Sequence, residues 1–196
     1  MMKRFAAVAV LALWVSGCAV GFTPPVGSNA PDQYEVIVDR PFNDVWDDLV
    51  EYSSRAFFGI DDAERDSGSL TLSFGAESPG DFVDCGTVVI AGERVTTIEF
   101  FEMPVRVGPE DITELRARMN VFVDDLGPDR TLVRVNATYE LAYDSDALNM
   151  RGSWAFSSGG SDTEALIFDD VTCQPTYLAE RTVLESVAGS TLGAEQ

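Results

Sequence analysis

The chain predicts an α+β domain: a curved antiparallel sheet packed on a long N-terminal helix and a C-terminal helix. Three observations carry that expectation. Residues Phe42, Val45, Trp46, Leu49, Val50, Ser53 and Phe57 recur at helical spacing and form one broad apolar stripe. From Leu70 to Phe156 the apolar residues instead alternate, in a series of strands separated by turn residues. Between Leu115 and Leu141 the alternation folds back on itself, so that two faces of one hairpin can be assigned residue by residue.

Taken in order, Tyr34 to Val38 reads as a first strand with Tyr34, Val36 and Val38 to one side. Pro41 stands where a first helical residue is expected, since its missing N–H costs nothing there. Asn43, Asp44, Asp47, Asp48 and Glu51 take the face opposite the stripe, and the early acids suit the helix dipole. The stripe itself reads as core packing. Ile60 to Glu64, a turn at Asp66-Ser67-Gly68-Ser69 and a strand at Leu70, Leu72 and Phe74 follow. Gly75 to Gly80 is expected as a loop, Phe82 to Ile90 as a β-branched strand carrying Cys85, and Val95 to Met103 as another strand. Pro104 to Asp111 breaks the pattern.

Leu126 to Arg130 has hairpin-turn length. Across it Leu115 meets Leu141, Ala117 meets Tyr139, Met119 meets Ala137, Val121 meets Val135 and Val123 meets Val133, every pair apolar. The other face sets Arg116 against Glu140, Arg118 against Thr138, Asn120 against Asn136 and Phe122 against Arg134. Opposite charges and a cation–aromatic pair across strands support this register. A slip of one residue would turn the polar set inward. These arginines read as a solvated sheet face. A polar stretch to Asn149, a strand around Trp154 to Phe156, a loop at Ser157 to Asp162 and a short strand at Ala165 to Phe168 come next. Pro175 is expected to open a second helix carrying Leu178, Arg181, Leu184 and Val187, with Gly189 as its stop.

The N-terminus has a different character. Lys3 and Arg4 precede an apolar run from Phe5 to Val15 that is too short to span a bilayer, and small residues close it. That is a secretory signal. Val15-Ser16-Gly17-Cys18 resembles the lipobox of bacterial lipoproteins. The resemblance implies thioether attachment of diacylglycerol to Cys18, cleavage after Gly17, and acylation of the new amino terminus with palmitate or a similar chain. Several acyl chains hold stably where one holds marginally, at roughly 0.8 kcal/mol per buried methylene. By the same analogy, the uncharged Ala19 after the cysteine points to the outer membrane, with the domain facing the periplasm. The expected organisation is a signal peptide over 1–17, a lipidated cysteine and flexible tether over 18–33, one domain over 34–190, and a frayed terminus over 191–196. Pro24-Pro25, Gly27-Ser28-Asn29 and Pro31 give the tether its composition.

The chain has 33 acidic and 13 basic residues, a formal net charge of −20. Loss of residues 1–17 takes two of the 13 basic residues, Lys3 and Arg4, leaving 11 against 33 and a charge of −22. Such a body is repelled by nucleic-acid phosphates, and no nucleic-acid partner is expected. With Cys18 assigned to lipid, two of the three cysteines remain, Cys85 and Cys173. In an oxidising compartment an even pair is expected to form a disulfide, two buried thiols being the alternative. The absence of histidine removes the Ser-His-Asp and Cys-His arrangements and the usual zinc ligands.

The order of elements resembles the helix-grip group. Asp39-Arg40-Pro41-Phe42, Val45-Trp46, Leu49, and Ile60 through Ser67-Gly68 into Leu70 resemble the BamC (NlpB) accessory lipoproteins of outer-membrane β-barrel assembly. The chain has one such domain where that family has two. The resemblance implies a non-catalytic, lipid-anchored envelope lipoprotein working as an interaction or accessory module with an envelope protein partner. The alternative is a periplasmic carrier of an apolar small molecule, in a cavity lined by Phe57, Phe58, Phe100, Phe101 or Trp154. An enzyme would have to use carboxylates such as Asp61-Asp62, Asp124-Asp125 or Asp169-Asp170. Asp144, Asp146 and Asn149 could offer oxygen to calcium, but lack the glycine turn and terminal glutamate of a calcium loop. No cofactor, metal or catalytic residue is expected.

Overall fold

The computed structural model describes residues 21–25, 34–76, 78–90, 92–102, 112–145, 150–158 and 171–189. The architecture is α+β, with mostly antiparallel sheets and three helices among the described residues. The principal sheet runs β3 (Gly59–Glu64), β4 (Ser69–Ala76), β8 (Ile112–Gly127) and β9 (Arg130–Ser145). The far edge of β9 is shared. β2 (Glu35–Val38) pairs with its first third and β10 (Met150–Ser157) with its last part. At the handover the Val135 N–H donates to Tyr34 O at 2.8 Å, and the Ser158 hydroxyl accepts the Ala137 N–H at 2.8 Å.

The β8–β9 hairpin has the expected register from Leu115–Leu141 to Val123–Val133, and the inward residues of every pair are buried. Leu126 is a bulge, so that Gly127 pairs with Arg130 and only Pro128 and Asp129 form the turn. On the outer face Arg134 lies 6.0 Å over the Phe122 ring. Arg116, directly opposite Glu140, bonds instead along its own strand to Glu114 at 2.9 Å. The acids of β3, all exposed, guard the open edge of the sheet.

Helix α1 (Phe42–Arg55) and helix α3 (Leu178–Ala188) pack on the inner face and on each other. Val45, Trp46, Leu49 and Ser53 of α1 are buried, as the stripe requires. Phe57, at the end of that stripe, is 47% exposed, because the helix has already ended at Arg55. Pro41 is the cap and not the first helical residue, its carbonyl accepting the Val45 N–H at 3.2 Å.

Four further expectations differ from the structure. The strand expected over Phe82–Ile90 is two: β5 (Val83–Asp84) and β6 (Thr87–Ile90), which join different sheets. The break falls at Cys85-Gly86. Gly86 has φ +74°, and a Cβ there would lie 2.0 Å from Thr23 O, so only glycine admits this turn. The strand expected over Val95–Met103 is a short β7 (Glu93–Thr96) followed by α2 (Thr97–Glu102). The reason is a capping box: Thr96 Oγ1 accepts the Glu99 N–H at 3.0 Å while the Glu99 carboxylate accepts the Thr96 N–H at 2.9 Å. Those bonds hold the Glu99 carboxyl below its ordinary range.

Pro175 does not open α3. It lies in β11 (Gln174–Pro175), paired with β5, and the next N–H, that of Thr176, goes to Phe82 O at 2.9 Å. The helix starts three residues later, after Tyr177 turns left-handed at φ +62°. Gly189 caps it as expected, also with positive φ.

At the N-terminal side, β1 (Gly21–Thr23) pairs with β6, giving a small sheet ordered β1-β6-β7. Residues 21–25 are therefore part of the folded body, where a tether over 18–33 was expected. Cys18 and residues 26–33 lie outside the described residues, as do the expected strand at 165–168 and the terminus at 191–196.

Candidate functional site

The most unusual chemistry in the domain is a carboxyl group inside the core. Tyr177 sets the phase of α3, and its inward face becomes Ala179, Glu180, Val183, Leu184 and Val187. Glu180 lies in the first turn of α3, where the helix dipole would favour it only in its ionised form. Glu180 is fully buried. Tyr139 of β9, held between Phe156 (centroids 5.4 Å apart, stacked) and Phe74 (6.0 Å), donates its hydroxyl to Glu180 Oε2 at 2.7 Å. Tyr34 lies 5.8 Å from Tyr177 at the margin of the same cluster.

Among the described residues Glu180 Oε1 has no hydrogen-bond partner. The Ser158 hydroxyl is near enough to favour the charged form, but its bonds join it to the backbone of Ala137. Burial dominates and pushes the Glu180 carboxyl upward; Tyr139, the Glu180 backbone N–H, Ser158 and Arg181 pull the other way. Burial also pushes the Tyr139 and Tyr34 phenols upward, and Glu180 adds to both shifts. A carboxyl so placed can hold a proton, yet with no exposed surface it meets no substrate. It serves the packing of α3 against β9.

On the surface, several of the arginines are engaged by acids. A groove of about 370 Å³ on the outer sheet face is lined by Asp61, Ser73, Arg116, Arg118, Thr138 and Glu140. Arg118 reaches Asp61 at 3.3 Å, Arg134 reaches Asp124 at 2.6 Å and Arg151 reaches Asp144 at 2.9 Å. A second groove of about 440 Å³ lies beside Tyr34, Phe122, Arg134 and Asn136. A third, about 530 Å³ between α1 and α3, is lined by Asp48, Glu51, Tyr52, Arg55 and Ser186.

The residues singled out from sequence fall as follows. The sulfurs of Cys85 and Cys173 lie 2.01 Å apart, at disulfide distance, beside the β5–β11 ladder. Asp61 is engaged by Ser73 at 2.8 Å as well as Arg118, and Asp125 accepts the Gly127 N–H at 2.8 Å. Asp169-Asp170, Asp146 and Asn149 lie outside the described residues, and no metal-holding cluster occurs among those described. The aromatics considered for a ligand cavity are used in packing. Phe57 and Phe58 stand 4.2 Å apart and both meet Phe74, Phe100 meets Phe22, and Trp154 is wholly buried. The Phe101 side chain is outside the described set.

Sequence reasoning missed Glu180 and Tyr139. A signal was present for the glutamate: Ala179, Val183, Leu184 and Val187 form a tighter stripe than the one built on Leu178 and Arg181, and Glu180 falls inside it. Nothing local marks Tyr139, whose partner is 41 residues away. No family model, no curated protein and no solved structure matches this chain.

Proposed function

We propose that this chain is a non-catalytic lipoprotein of the bacterial envelope, anchored through Cys18 in the outer membrane and working from the periplasmic side as an interaction or accessory module. The observation that carries the reading is the N-terminal series Lys3-Arg4, the apolar run Phe5–Val15, and Val15-Ser16-Gly17-Cys18. The domain behind it supports a binding role. Its inward carboxyl is sealed, and of the surface acids considered for catalysis Asp61 and Asp124 are held in ion pairs and Asp125 in a turn. The two helices on one face of the principal sheet suit a helix-grip arrangement. The resemblance around Asp39–Leu70 makes outer-membrane assembly the process in which we place the protein.

Two measurements test this. Cys18→Ala should abolish palmitate labelling and leave an uncleaved or mislocalised precursor; equal labelling of mutant and parent would refute the anchor. Affinity purification from detergent-extracted membranes, with the anchor intact, should recover an envelope protein partner, barrel-assembly components being the outcome expected for the accessory role. A protein that labels with palmitate but repeatedly elutes alone would leave a lipoprotein without the accessory function.

A further inference from the structure

The short distance between the anchor and the first strand has a consequence for how the domain sits. It rests on the lipid-anchor reading above. A tether from Cys18 to Tyr34 would let the domain wander: fifteen or so residues of loop composition reach roughly 20 Å on average and far more when extended. Among the described residues, strand pairing is already present at Gly21. Gly21 is opposite Val89, Phe22 opposite Val88 and Thr23 opposite Thr87. Phe22 also packs edge-on against Phe100 of α2 at 6.3 Å. The Gly86 turn backs directly onto Thr23 O and Pro24. Only three Cα–Cα steps separate Cys18 from Gly21, about 11 Å at full stretch.

The strand directions then determine which end of the small sheet is nearest the lipid. β1 runs away from Cys18 while β6 runs back toward it, so Ile90 and the turn before Glu93 lie at or beyond the Gly21 end. Across β6 from Gly21 stands Arg94, which has no ion pair among the described residues. The three strands carry only two charges, Glu93 and Arg94, in a chain whose formal charge is −20. This end can therefore approach a headgroup layer without the repulsion that the acid-rich face of α1 would meet.

We propose that the β6–β7 turn, with the free end of β1, is the lipid-facing surface of the domain, held against phospholipid headgroups by the short span from Cys18. We take the β8–β9 turn, on a different sheet, as the reference position remote from lipid. Phe82, just before β5, packs at 5.2 Å on Phe74, which pairs with Ala117. From Ala117 the β8 strand runs ten residues to Gly127, about 33 Å.

The test uses full-length lipidated protein in vesicles of phosphatidylethanolamine and phosphatidylglycerol carrying a headgroup-linked energy acceptor. A fluorescent non-natural amino acid replaces Glu93 in one sample and Asp129 in another. Transfer should be several-fold stronger from position 93 than from position 129. Insertion of ten Gly/Ser residues after Val20 should erase most of that difference without detaching the protein. Flotation with the vesicles is scored first. A protein that floats but transfers equally from both positions overturns the docking while leaving the anchor standing. A parent that neither labels with palmitate nor floats, matching Cys18→Ser, overturns the anchor and with it this orientation.

Discussion

Replacing Glu180 by glutamine isolates the energetic effect of the buried carboxyl, because glutamine keeps the shape and loses the titration. Burial pushes the carboxyl upward in the folded state, whereas in the unfolded chain it titrates at the ordinary value near 4.5. Between that pH and the folded-state pKa, the folded protein keeps a proton that the unfolded chain sheds. Stability from this group is complete below the unfolded value and is lost as pH rises through the folded one. The slope in that window is about 1.4 kcal/mol per pH unit for one proton. Groups that act on or feel Glu180 are Tyr139 from β9, Ser158 after β10, Tyr34 before β2, and Arg181 from its own helix. Burial moves the Tyr139 and Tyr34 phenols further above neutrality, so neither contributes to the slope between pH 4.5 and 8.

The measurement is equilibrium urea unfolding of parent and Glu180→Gln, disulfide intact, at half-unit steps from pH 4.5 to 8, with stabilities extrapolated to water. Exposed carboxylates titrate alike in both proteins and cancel in the difference. The parent's advantage over the variant should shrink as pH rises, with a slope approaching about 1.4 kcal/mol per unit, and level off where Glu180 ionises in the fold. A difference that stays flat, or grows with pH, would show that the side chain is charged in the folded protein and that its burial is misjudged.

Three other outcomes are expected. Val121→Asp buries an unpaired charge opposite Val135 and should cost several kcal/mol, about 3 or more, while Arg116→Ala on the outer face should cost well under about 1 kcal/mol; equal losses in thermal unfolding would contradict the hairpin register. Gly86→Ala places a methyl 2.0 Å from Thr23 O and should lift β1, seen as faster amide exchange at residues 22 and 23, whereas unchanged exchange would mean β1 is not docked there. Peptide mapping without reductant should recover Cys85 and Cys173 as one linked pair, and alkylation of both before reduction would remove the bridge.

What was readable in the chain is what local pattern determines. The β8–β9 hairpin emerges with its register because two long alternating runs leave only one pairing that keeps Val121, Val123, Val133 and Val135 together inside. The α1 stripe is legible for the same reason, at period 3.6. Misreadings arise where a local signal loses to a competing one. Val95-Thr96-Thr97-Ile98 looks like strand by its β-branched content, yet Thr96 and Glu99 cap a helix in the middle of it. Pro175 looks like a helix start, but its neighbours are held extended by β5. β1 is three residues long and has no periodicity to find; it exists because β6 offers an edge and Phe100 a ring. The Glu180–Tyr139 bond is likewise tertiary, and only the phase of α3 could have suggested half of it.

The same region explains how α3 reaches its phase at all. Tyr177 is the one non-glycine residue with positive φ among those described, a conformation that costs on the order of 1 kcal/mol or more. It persists because its surroundings over-determine it. Cys173 and Cys85 close 88 residues of chain, worth about 4–5 kcal/mol in the loop-entropy picture. The two-residue β5–β11 ladder would be negligible alone, but it is extended by the Thr176 N–H to Phe82 O and by the Thr176 hydroxyl to Asp81 O at 2.6 Å. Tyr177 O then accepts the Arg181 N–H at 3.0 Å, and its ring meets Tyr34. Each contact fixes where Leu178 begins, and a shift of one residue would rotate α3 by about 100° and carry Glu180 away from Tyr139. Cys85 also sits between β5 and β6, so one crosslinked turn holds both the small sheet bearing β1 and the start of α3. The small sheet and the helix that carries the buried carboxyl thus share one covalent joint.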